Sequence, residues 1–330
     1  MKYRKLGQSD LQASEIAFGA WAIGGWMWGG ADMKAAIGAI HAALDHGMTT
    51  IDTAPVYGYG LSEEIVGEAL KGKSRDKVQL FTKFGLRWDG SQSALHVREE
   101  GKGKEAELYK YASRESVVYE CEQSLKRLRT DYIDLFQIHW PDVNTPISET
   151  MEALALLKKQ GKIREAGVSN YTAEQMAEAE KTLPLVSNQV PYSMVCRDIE
   201  KELVPHCIDH HKSIIAYSPM QRGLLSGKFQ PDHQFKEGDS RPRTKYFKPG
   251  NIQKVNAFLD RIKPIAKDHG VVVSQLALRW AIDQPGITLA LAGARDAAQV
   301  VTNVAAAELK LSAEEMALIT KELAALGKIE

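Results

Sequence analysis

The sequence predicts an α/β protein folded as a single closed (β/α)8 barrel, or TIM barrel, and three observations lead to that prediction. Eight short strand-like segments alternate with helical segments along the chain. These strand segments are apolar on both faces, as strands buried in a parallel sheet are. The rival is an open doubly wound sheet, but no G-x-G-x-x-G fingerprint follows the first strand. We therefore predict one domain over residues 1–330, with an N-terminal β-hairpin and two extra helices.

A hairpin and the first strand–helix unit open the chain. Alternating residues at 2–17 predict the hairpin, and the apolar run at 18–21 predicts the first barrel strand. Asp32 is a suitable N-cap for a helix over 33–46, and Gly47 suits the left-handed backbone that ends many helices.

The remaining units repeat this pattern to the end of the chain. Further strands are expected at 49–52, 78–83, 132–139, 164–170, 186–189, 213–219 and 287–293. Further helices are expected at 62–71, 114–128, 148–160, 173–180, 198–210, 252–268, 274–284, 296–306 and 312–326. Connections of unusual length, which in compact domains are usually functional or disordered, are expected as loops at 22–32, 84–113 and 219–251.

The composition argues against several classes of protein. Hydrophobic residues make up 44% and charged residues 25%, as in soluble globular proteins. The 42 basic and 42 acidic residues cancel, which argues against a general nucleic-acid or anionic-membrane binder. Three cysteines without paired spacing favour a reducing, cytoplasmic compartment. No segment is long and apolar enough for a membrane span, and the N-terminus lacks the apolar core of a signal peptide. The oligomeric state cannot be predicted from the sequence.

Polar, aromatic or glycine residues stand at the carboxyl ends of nearly all predicted strands. In a closed barrel these ends meet at one rim, where the chemistry of such folds takes place. So many endings of this kind are difficult to explain by turn chemistry, and they predict a small-molecule site. The residues are Gly19, Asp52, Lys83, His139, Ser169, Asn170, Gln189, Tyr217, Ser218 and Gly293.

Four residues near this rim form a set suited to proton transfer. A phenol has a reference pKa of about 10, and a cation beside it can lower that value. Asp52 can hold Lys83, Lys83 can lower the pKa of Tyr57, and His139 can hydrogen-bond a reacting oxygen. Taken singly, each residue also has a purely structural interpretation. Asp52 could cap a turn and Tyr57 could be a half-buried aromatic. Lys83 could be a surface lysine and His139 a core histidine. The sequence has no H-E-x-x-H metal motif and no G-x-S-x-G nucleophile elbow.

Tryptophans are concentrated on the loops that follow predicted strands. Trp21, Trp26, Trp28, Trp88 and Trp140 all lie on or beside such loops. Because indole rings are costly to expose, they predict an apolar pocket, although some could simply pack loops onto the rim. The substrate pocket is therefore expected to include Trp21, Trp28, Tyr57, Trp88, His139 and Trp140.

Motifs along essentially the whole chain resemble those of the aldo-keto reductase superfamily. They are DTAPVYGYGLSEEIVGEAL, FTK, DYIDLFQIHWPD, GKIREAGVSNY, YSPMQRGLLSGKF and GARDAAQVVTN. Within the superfamily, the chain is most similar to the bacterial branch of general-stress and inositol-locus reductases and glyceraldehyde- or glycerol-oxidising enzymes. The segments WAIGGWMWGG and IHWPD resemble the last of these.

The resemblance implies an oxidoreductase that interconverts small-molecule aldehydes or ketones and alcohols. It implies NADP(H) bound in extended form, with NAD(H) the less favoured cofactor. The catalytic tetrad of the family falls on Asp52, Tyr57, Lys83 and His139. Hydride would pass from nicotinamide C4 to the carbonyl carbon while Tyr57 protonates the oxygen.

The resemblance also implies a set of cofactor contacts. The residues that contact the nicotinamide carboxamide in the family match Ser169, Asn170 and Gln189. The aromatic residue that stacks on the nicotinamide ring matches Tyr217. The strap over the pyrophosphate matches Ser218, Pro219, Met220, Arg222 and Lys228. The family residues that hold the adenosine 2′-phosphate and adenine match Gly293, Arg295, Gln299 and Asn303. The remaining predicted cofactor contacts are Gly19, Ala20, Trp21 and Asp52. Many members carry an acidic residue before the asparagine, where this chain has Thr302, so its adenine contacts follow the family less closely.

One alternative function belongs to a different class of protein. Nicotinamide-binding regulatory subunits of channels share the barrel and the cofactor segment. They typically lack the histidine that matches His139, so its presence together with the other three residues favours the enzyme. A third reading, a purely structural α/β protein, would bind no NADPH.

Overall fold

The computed structural model describes residues 1–89, the strand backbone at 94–98, and residues 107–330. A two-stranded antiparallel hairpin opens the chain, and eight parallel strands then close into a barrel. In chain order the strands are β1 (Tyr3–Lys5), β2 (Gln12–Ser14), β3 (Ile16–Gly19), β4 (Thr50–Asp52), β5 (Gln79–Phe84), β6 (Leu86–Arg87), β7 (Ala94–Arg98), β8 (Glu107–Lys110), β9 (Ile133–Ile138), β10 (Ile163–Ser169), β11 (Ser187–Pro191), β12 (Ser213–Tyr217) and β13 (Ile287–Gly293). The barrel order is β10-β11-β12-β13-β3-β4-β5-β9, so the predicted (β/α)8 barrel with its hairpin is confirmed.

Helices follow the barrel strands around the outside. They are α1 (Met33–Asp45), α2 (Leu61–Ala69), α3 (Arg114–Leu128), α4 (Ile147–Lys159), α5 (Ala173–Glu180), α6 (Leu203–Asp209), α7 (Pro249–Asp268), α8 (Val273–Asp283), α9 (Ala297–Ala305) and α10 (Ala313–Leu326). Two helices, α7 and α8, follow β12, and α10 ends the chain, which gives the two extra helices that were predicted. Within the described ranges, none of the helices is both long and apolar enough to cross a membrane.

The predicted N-cap Asp32 is present, and a second helix begins with a capping box. The Asp32 side chain accepts a hydrogen bond from the Ala35 backbone N–H at 3.0 Å. Thr172 and Gln175 form a reciprocal capping box at the start of α5. Each cap satisfies backbone donors that the first turn of a helix leaves unpaired.

Some element boundaries differ from the prediction. The first barrel strand begins at Ile16, inside the segment predicted to be hairpin, and ends at Gly19. The helix expected over 198–210 is divided into a short 3₁₀ turn and α6. Pro205 explains the division, because proline lacks the N–H that a helix interior needs and is tolerated only in the first turn. Starting α6 at Leu203 places Pro205 in that turn.

The long connection after β5 contains β-structure where a loop was expected. The strands β6, β8 and β7 form a three-stranded antiparallel sheet in that spatial order, with Leu86 opposite Lys110 and Arg87 opposite Tyr109. Short strands in a polar segment have too few residues to show a clear alternation. The rest of this connection, residues 90–93 and 99–106, lies outside the described residues.

The hairpin closes the amino-terminal end of the barrel. Leu6 and Leu11 pack in one cluster with Phe81, Leu135 and Ile215 of the barrel interior. The Gly7 backbone N–H donates to Ser213 Oγ, at the start of β12, at 2.8 Å. The carboxyl ends of the strands are therefore the end of the barrel at which a ligand can enter.

Two helical glycines provide a test of how tightly the helical layer packs. A methyl group on Gly67 of α2 would collide with the Arg127 carbonyl and the Leu128 backbone, whereas one on Gly38 of α1 would meet nothing within 4 Å. We expect Gly67→Ala to lower the free energy of unfolding by about 1–3 kcal/mol. Gly38→Ala should be neutral or stabilise by up to about 1 kcal/mol, since alanine is the better helix former. Urea unfolding measures both, and equal effects would contradict the packing described.

Candidate active site

A buried ion pair lies at the carboxyl end of two neighbouring strands. Lys83 Nζ on β5 is 2.6 Å from Asp52 Oδ1 on β4, and both side chains are almost fully buried. The same ammonium group donates to the Thr53 carbonyl at 3.0 Å and to the Tyr57 hydroxyl at 3.2 Å. The structure therefore brings Asp52, Tyr57 and Lys83 into one hydrogen-bonded set.

The turn that carries Tyr57 is held by a close backbone contact. A side chain on Gly24 would come within 2.6 Å of the Tyr57 carbonyl oxygen, so the 22–24 segment packs directly on this turn. Gly58 follows with φ +70°, a conformation that glycine adopts without strain. The Ser62 N–H donates to the Tyr57 carbonyl at 3.1 Å and joins the turn to α2.

The electrostatics of this set differ from the expectation in one respect. Burial raises the pKa of Tyr57 above its usual value, and the lowering effect of Lys83 only partly opposes burial and the negative charge of Asp52. Lys83 therefore acts on the pKa of Tyr57 in the predicted direction, but burial and Asp52 leave the net pKa raised. Burial works to lower the pKa of Lys83, but Asp52 and Tyr57 outweigh it and the pKa is raised, so the amine stays protonated.

The other strand ends surround this set with a hydrogen-bonded network. Gln189 Nε2 donates to Asp52 Oδ2 at 2.8 Å, and Ser169 Oγ donates to the Gln189 carbonyl at 2.8 Å. Asn170 Nδ2 donates to the His139 carbonyl at 3.0 Å and so fixes the end of β9. The His139 ring meets the Tyr57 ring edge to face, with centroids 5.7 Å apart. All four predicted tetrad residues thus meet at one place.

A single cleft of about 560 Å³ runs across this rim. Its lining includes Tyr57 and His139 of the predicted tetrad as well as Arg295 and Asn303 beside α9. Every residue predicted to contact a cofactor lines it, namely Gly19, Ala20, Trp21, Asp52, Ser169, Asn170, Gln189, Tyr217, Ser218, Pro219, Met220, Arg222, Lys228, Gly293, Arg295, Gln299 and Asn303. The Tyr217 hydroxyl donates to Asn170 Oδ1 at 3.0 Å, which holds its ring at the cleft wall.

Indole rings line the end of the cleft near Tyr57. Trp21 stacks on Tyr57 with ring centroids 6.0 Å apart, and Trp28 meets Trp21 edge to face at 5.3 Å. Trp26 and Trp140 also line the cleft, but Trp88 does not. Trp88 packs on Tyr59 instead, at 5.6 Å between centroids. It follows the short strand β6 and packs against the apolar cluster that contains Leu86 and Leu108, without lining the cleft.

Several lining residues were missed by the sequence analysis. Val56, Leu86 and Leu108 line the cleft close to Tyr57, and Arg241, Phe229 and Ser274 line it elsewhere. Leu108 and Leu86 come from the sheet β6-β8-β7, which was expected to be a loop. The sequence offers no signal for Arg241, because its position depends on how a long connection folds back over the rim.

The part of the cleft beside Arg295 and Lys228 has the charge that a phosphate-bearing cofactor needs. Arg295 and Lys228 are exposed and line the cleft, and neither forms an ion pair with any residue the structure describes. Arg295 directly precedes Asp296, the N-cap of α9, where backbone N–H groups favour anions. Gly293 leaves the wall open, since a side chain there would meet only the Gly19 carbonyl at 3.7 Å. These residues fit a nicotinamide dinucleotide. Within the described ranges, no group of three or more potential ligands could hold a metal ion.

Comparisons with known proteins agree with this geometry. The "Aldo/keto reductase family" model matches residues 15–324. "Aldo-keto reductase YhdN" of Bacillus subtilis (strain 168) is 43% identical over 91% of this chain and 87% of its own length. "NADH-specific methylglyoxal reductase" of Escherichia coli (strain K12) is 37% identical over 99% of this chain and 100% of its own length.

A solved structure shows the same architecture. The glycerol dehydrogenase AKR11B4 from Gluconobacter oxydans is 39% identical, covers 100% of this chain and 98% of its own, and superposes with a TM-score of 0.87. Family match, sequence identity and fold therefore agree. The chain belongs to the aldo/keto reductase family, whose members are oxidoreductases that act on carbonyl compounds with nicotinamide cofactors.

Proposed function

We propose that this chain, acting as one domain, interconverts small-molecule aldehydes or ketones and alcohols with NADP(H), and that Tyr57 is its proton donor. The observation that carries the proposal is the ammonium group of Lys83, held 2.6 Å from Asp52 and 3.2 Å from the Tyr57 hydroxyl at the cleft. A phenol in contact with a fixed cation can release its proton when a neighbouring oxygen gains negative charge.

The nicotinamide, when bound, supplies the hydride for reduction. The residues of this chain supply the proton and the electrostatic environment. Tyr57 donates its hydroxyl proton to the carbonyl oxygen, and the phenolate that remains lies beside the Lys83 ammonium group. Asp52 and Gln189 keep that ammonium group in place, because Asp52 accepts from both of them. His139 lies against the Tyr57 ring and is positioned to hydrogen-bond the same oxygen.

The preference for NADP over NAD is proposed from the charge of Arg295 at the cleft. A guanidinium group suits a phosphate, and Arg295 stands exposed at the start of α9. The relative described as an NADH-specific methylglyoxal reductase shows that the family also contains enzymes that use NADH. The exposed cation of Arg295 supports the phosphorylated cofactor for this chain.

Tyr57→Phe tests the proton donor most simply. We expect it to lower kcat for reduction of an aldehyde by about 100- to 10,000-fold, since that is the range of general-acid catalysis. Binding of NADPH, followed by fluorescence, should be retained. The matched control is Tyr59→Phe, because Tyr59 lies in the same turn but packs on Trp26 and Trp88. Unchanged turnover by Tyr57→Phe would remove the mechanism, and a wild-type protein that binds NADPH without turnover would favour a regulatory subunit.

The raised pKa of Tyr57 gives a prediction for the pH profile. Reduction needs the protonated phenol, which is fully populated below its pKa and is lost as the pH rises through that value. Because burial raises this pKa above the reference value, kcat/KM for reduction should be level from about pH 6 to about pH 9. Oxidation of an alcohol needs the phenolate and should rise with pH over the same range. A reduction rate that falls tenfold per unit across this range would contradict the assignment.

Arg295→Leu tests the assignment of the cofactor phosphate. We expect the Kd for NADPH to rise by about 10- to 100-fold, since a charge-assisted hydrogen bond is lost. The Kd for NADH should change little, because NADH lacks the 2′-phosphate, and it serves as the internal control. Titration of both cofactors by fluorescence measures the two constants. Equal weakening of both, or of neither, would show that Arg295 does not select the phosphate.

A further inference from the structure

Arg222 is a half-buried cation that stands over the indole rings of the cleft. Its Cζ lies 4.7 Å from the centre of the Trp21 ring and 5.1 Å from that of Trp28. Its Nη2 donates to Ser240 Oγ at 2.7 Å. We propose that Arg222 binds an acidic group, a carboxylate or a phosphate, on the carbonyl substrate, so that the enzyme prefers aldehydes and ketones that carry such a group. This inference rests on the proposed function.

Among the residues that the structure describes, the positive charge of Arg222 has no counter-ion of its own. The carboxylate whose charge acts on Arg222, Asp239, is engaged by Arg241, whose Nη2 lies 2.5 Å from Asp239 Oδ2 and whose Nε also donates to both carboxylate oxygens. Arg222 itself forms no ion pair in the part of the chain that the structure describes. A second cation nearby, Arg241, repels it further. A partly buried charge without a partner is unfavourable, and an anionic ligand would supply the missing partner.

Several hydrogen-bond donors in and around Arg222 have no acceptor among the described residues. Among the described residues, Arg222 Nε and the indole Nε1 atoms of Trp21 and Trp28 are buried without a hydrogen-bond partner. Burial lowers the pKa of Arg222 to about 10, and Asp239 offsets this effect only in part. The guanidinium therefore remains charged at neutral pH but is poorly solvated. Unused donors around a poorly solvated cation favour a ligand with several acceptor oxygens.

The position of Arg222 indicates the substrate end of the cleft. The Trp21 ring stacks on the Tyr57 ring, with centroids 6.0 Å apart, and the Arg222 guanidinium also lies over the Trp21 ring, with Cζ 4.7 Å from its centre. All three residues line the cleft, so a ligand whose carbonyl oxygen meets the Tyr57 hydroxyl would reach Arg222 by extending past Trp21. Trp28, edge to face on Trp21, borders the same path. An aromatic spacer between carbonyl and acid suits a wall of indole rings, because flat rings pack against one another.

A phosphate of the cofactor is the other possible source of the anion. The family resemblance places Arg222 in the segment that straps the pyrophosphate. However, Lys228 and Arg295 already provide exposed cations along the cleft that form no ion pair with a described residue, whereas the Arg222 side chain is turned onto the two indole rings. This division of the three cations favours the substrate as the partner of Arg222.

A matched pair of aldehydes tests the inference. The substrates are 4-carboxybenzaldehyde and its neutral methyl ester, methyl 4-formylbenzoate, each assayed with NADPH. The wild-type protein should have the higher kcat/KM for the acid. Arg222→Gln should lower the acid-to-ester ratio by about 10- to 100-fold, mainly through the KM of the acid. Arg222→Lys should restore part of the ratio. The control is Arg243→Gln, which removes an exposed charge from the same connection but does not line the cleft.

Binding of benzoate provides a readout that does not depend on turnover. Tryptophan fluorescence should report benzoate binding to the wild-type protein, with and without NADPH, and Arg222→Gln should abolish it. A ratio and a benzoate affinity that do not change in Arg222→Gln would overturn the inference. A raised Kd for NADPH with an unchanged ratio would overturn it too, because Arg222 would then bind the cofactor. If the wild-type protein reduced neither aldehyde, the proposed function would fail, while benzoate binding would still decide the role of Arg222.

Discussion

The ion pair between Lys83 and Asp52 is the interaction on which the rest of the site depends. Both groups are removed from water, so each needs the other, and breaking such a pair leaves a buried charge at a cost of about 3–5 kcal/mol. The carboxylate is saturated by Lys83 on one oxygen and Gln189 on the other. This pairing keeps the lysine charged inside a barrel that is otherwise largely apolar. The cation then has one further acceptor that faces the cleft, the Tyr57 hydroxyl.

The barrel makes this arrangement possible. Parallel strands bring their carboxyl ends to one rim, and the register places Asp52 beside Gly19 of β3 and Lys83 beside Gln137 of β9. The hairpin seals the opposite end with Leu6 and Leu11. The cleft wall, by contrast, is built from connections far apart in sequence. The Ser240 N–H donates to the Met27 carbonyl at 3.2 Å, so two long connections meet above the rim.

The parts of the fold that depend on local pattern could be predicted from the sequence. Strand ends such as Lys83 and His139 can be recognised because a polar residue directly follows an apolar run. The helix cap at Asp32 can be recognised because aspartate is a favoured N-cap residue. The sheet β6-β8-β7 could not be recognised, because strands of two to five residues carry little periodicity. The position of Trp88 and the surroundings of Arg222 depend on how those connections fold in space. The net pKa of Tyr57 depends on burial, which outweighs the charge of Lys83 and cannot be judged from sequence spacing.

The central claim is that the Tyr57 hydroxyl, supported by Lys83, meets the carbonyl oxygen of the substrate. The most direct measurement is a crystal structure of the protein with an oxidised nicotinamide cofactor and an unreactive amide analogue of a substrate. The account predicts that the amide oxygen lies within hydrogen-bond distance of the Tyr57 hydroxyl, with Lys83 still bound to that hydroxyl and to Asp52. An amide oxygen bound by other donors, with Tyr57 out of its reach, would contradict the account.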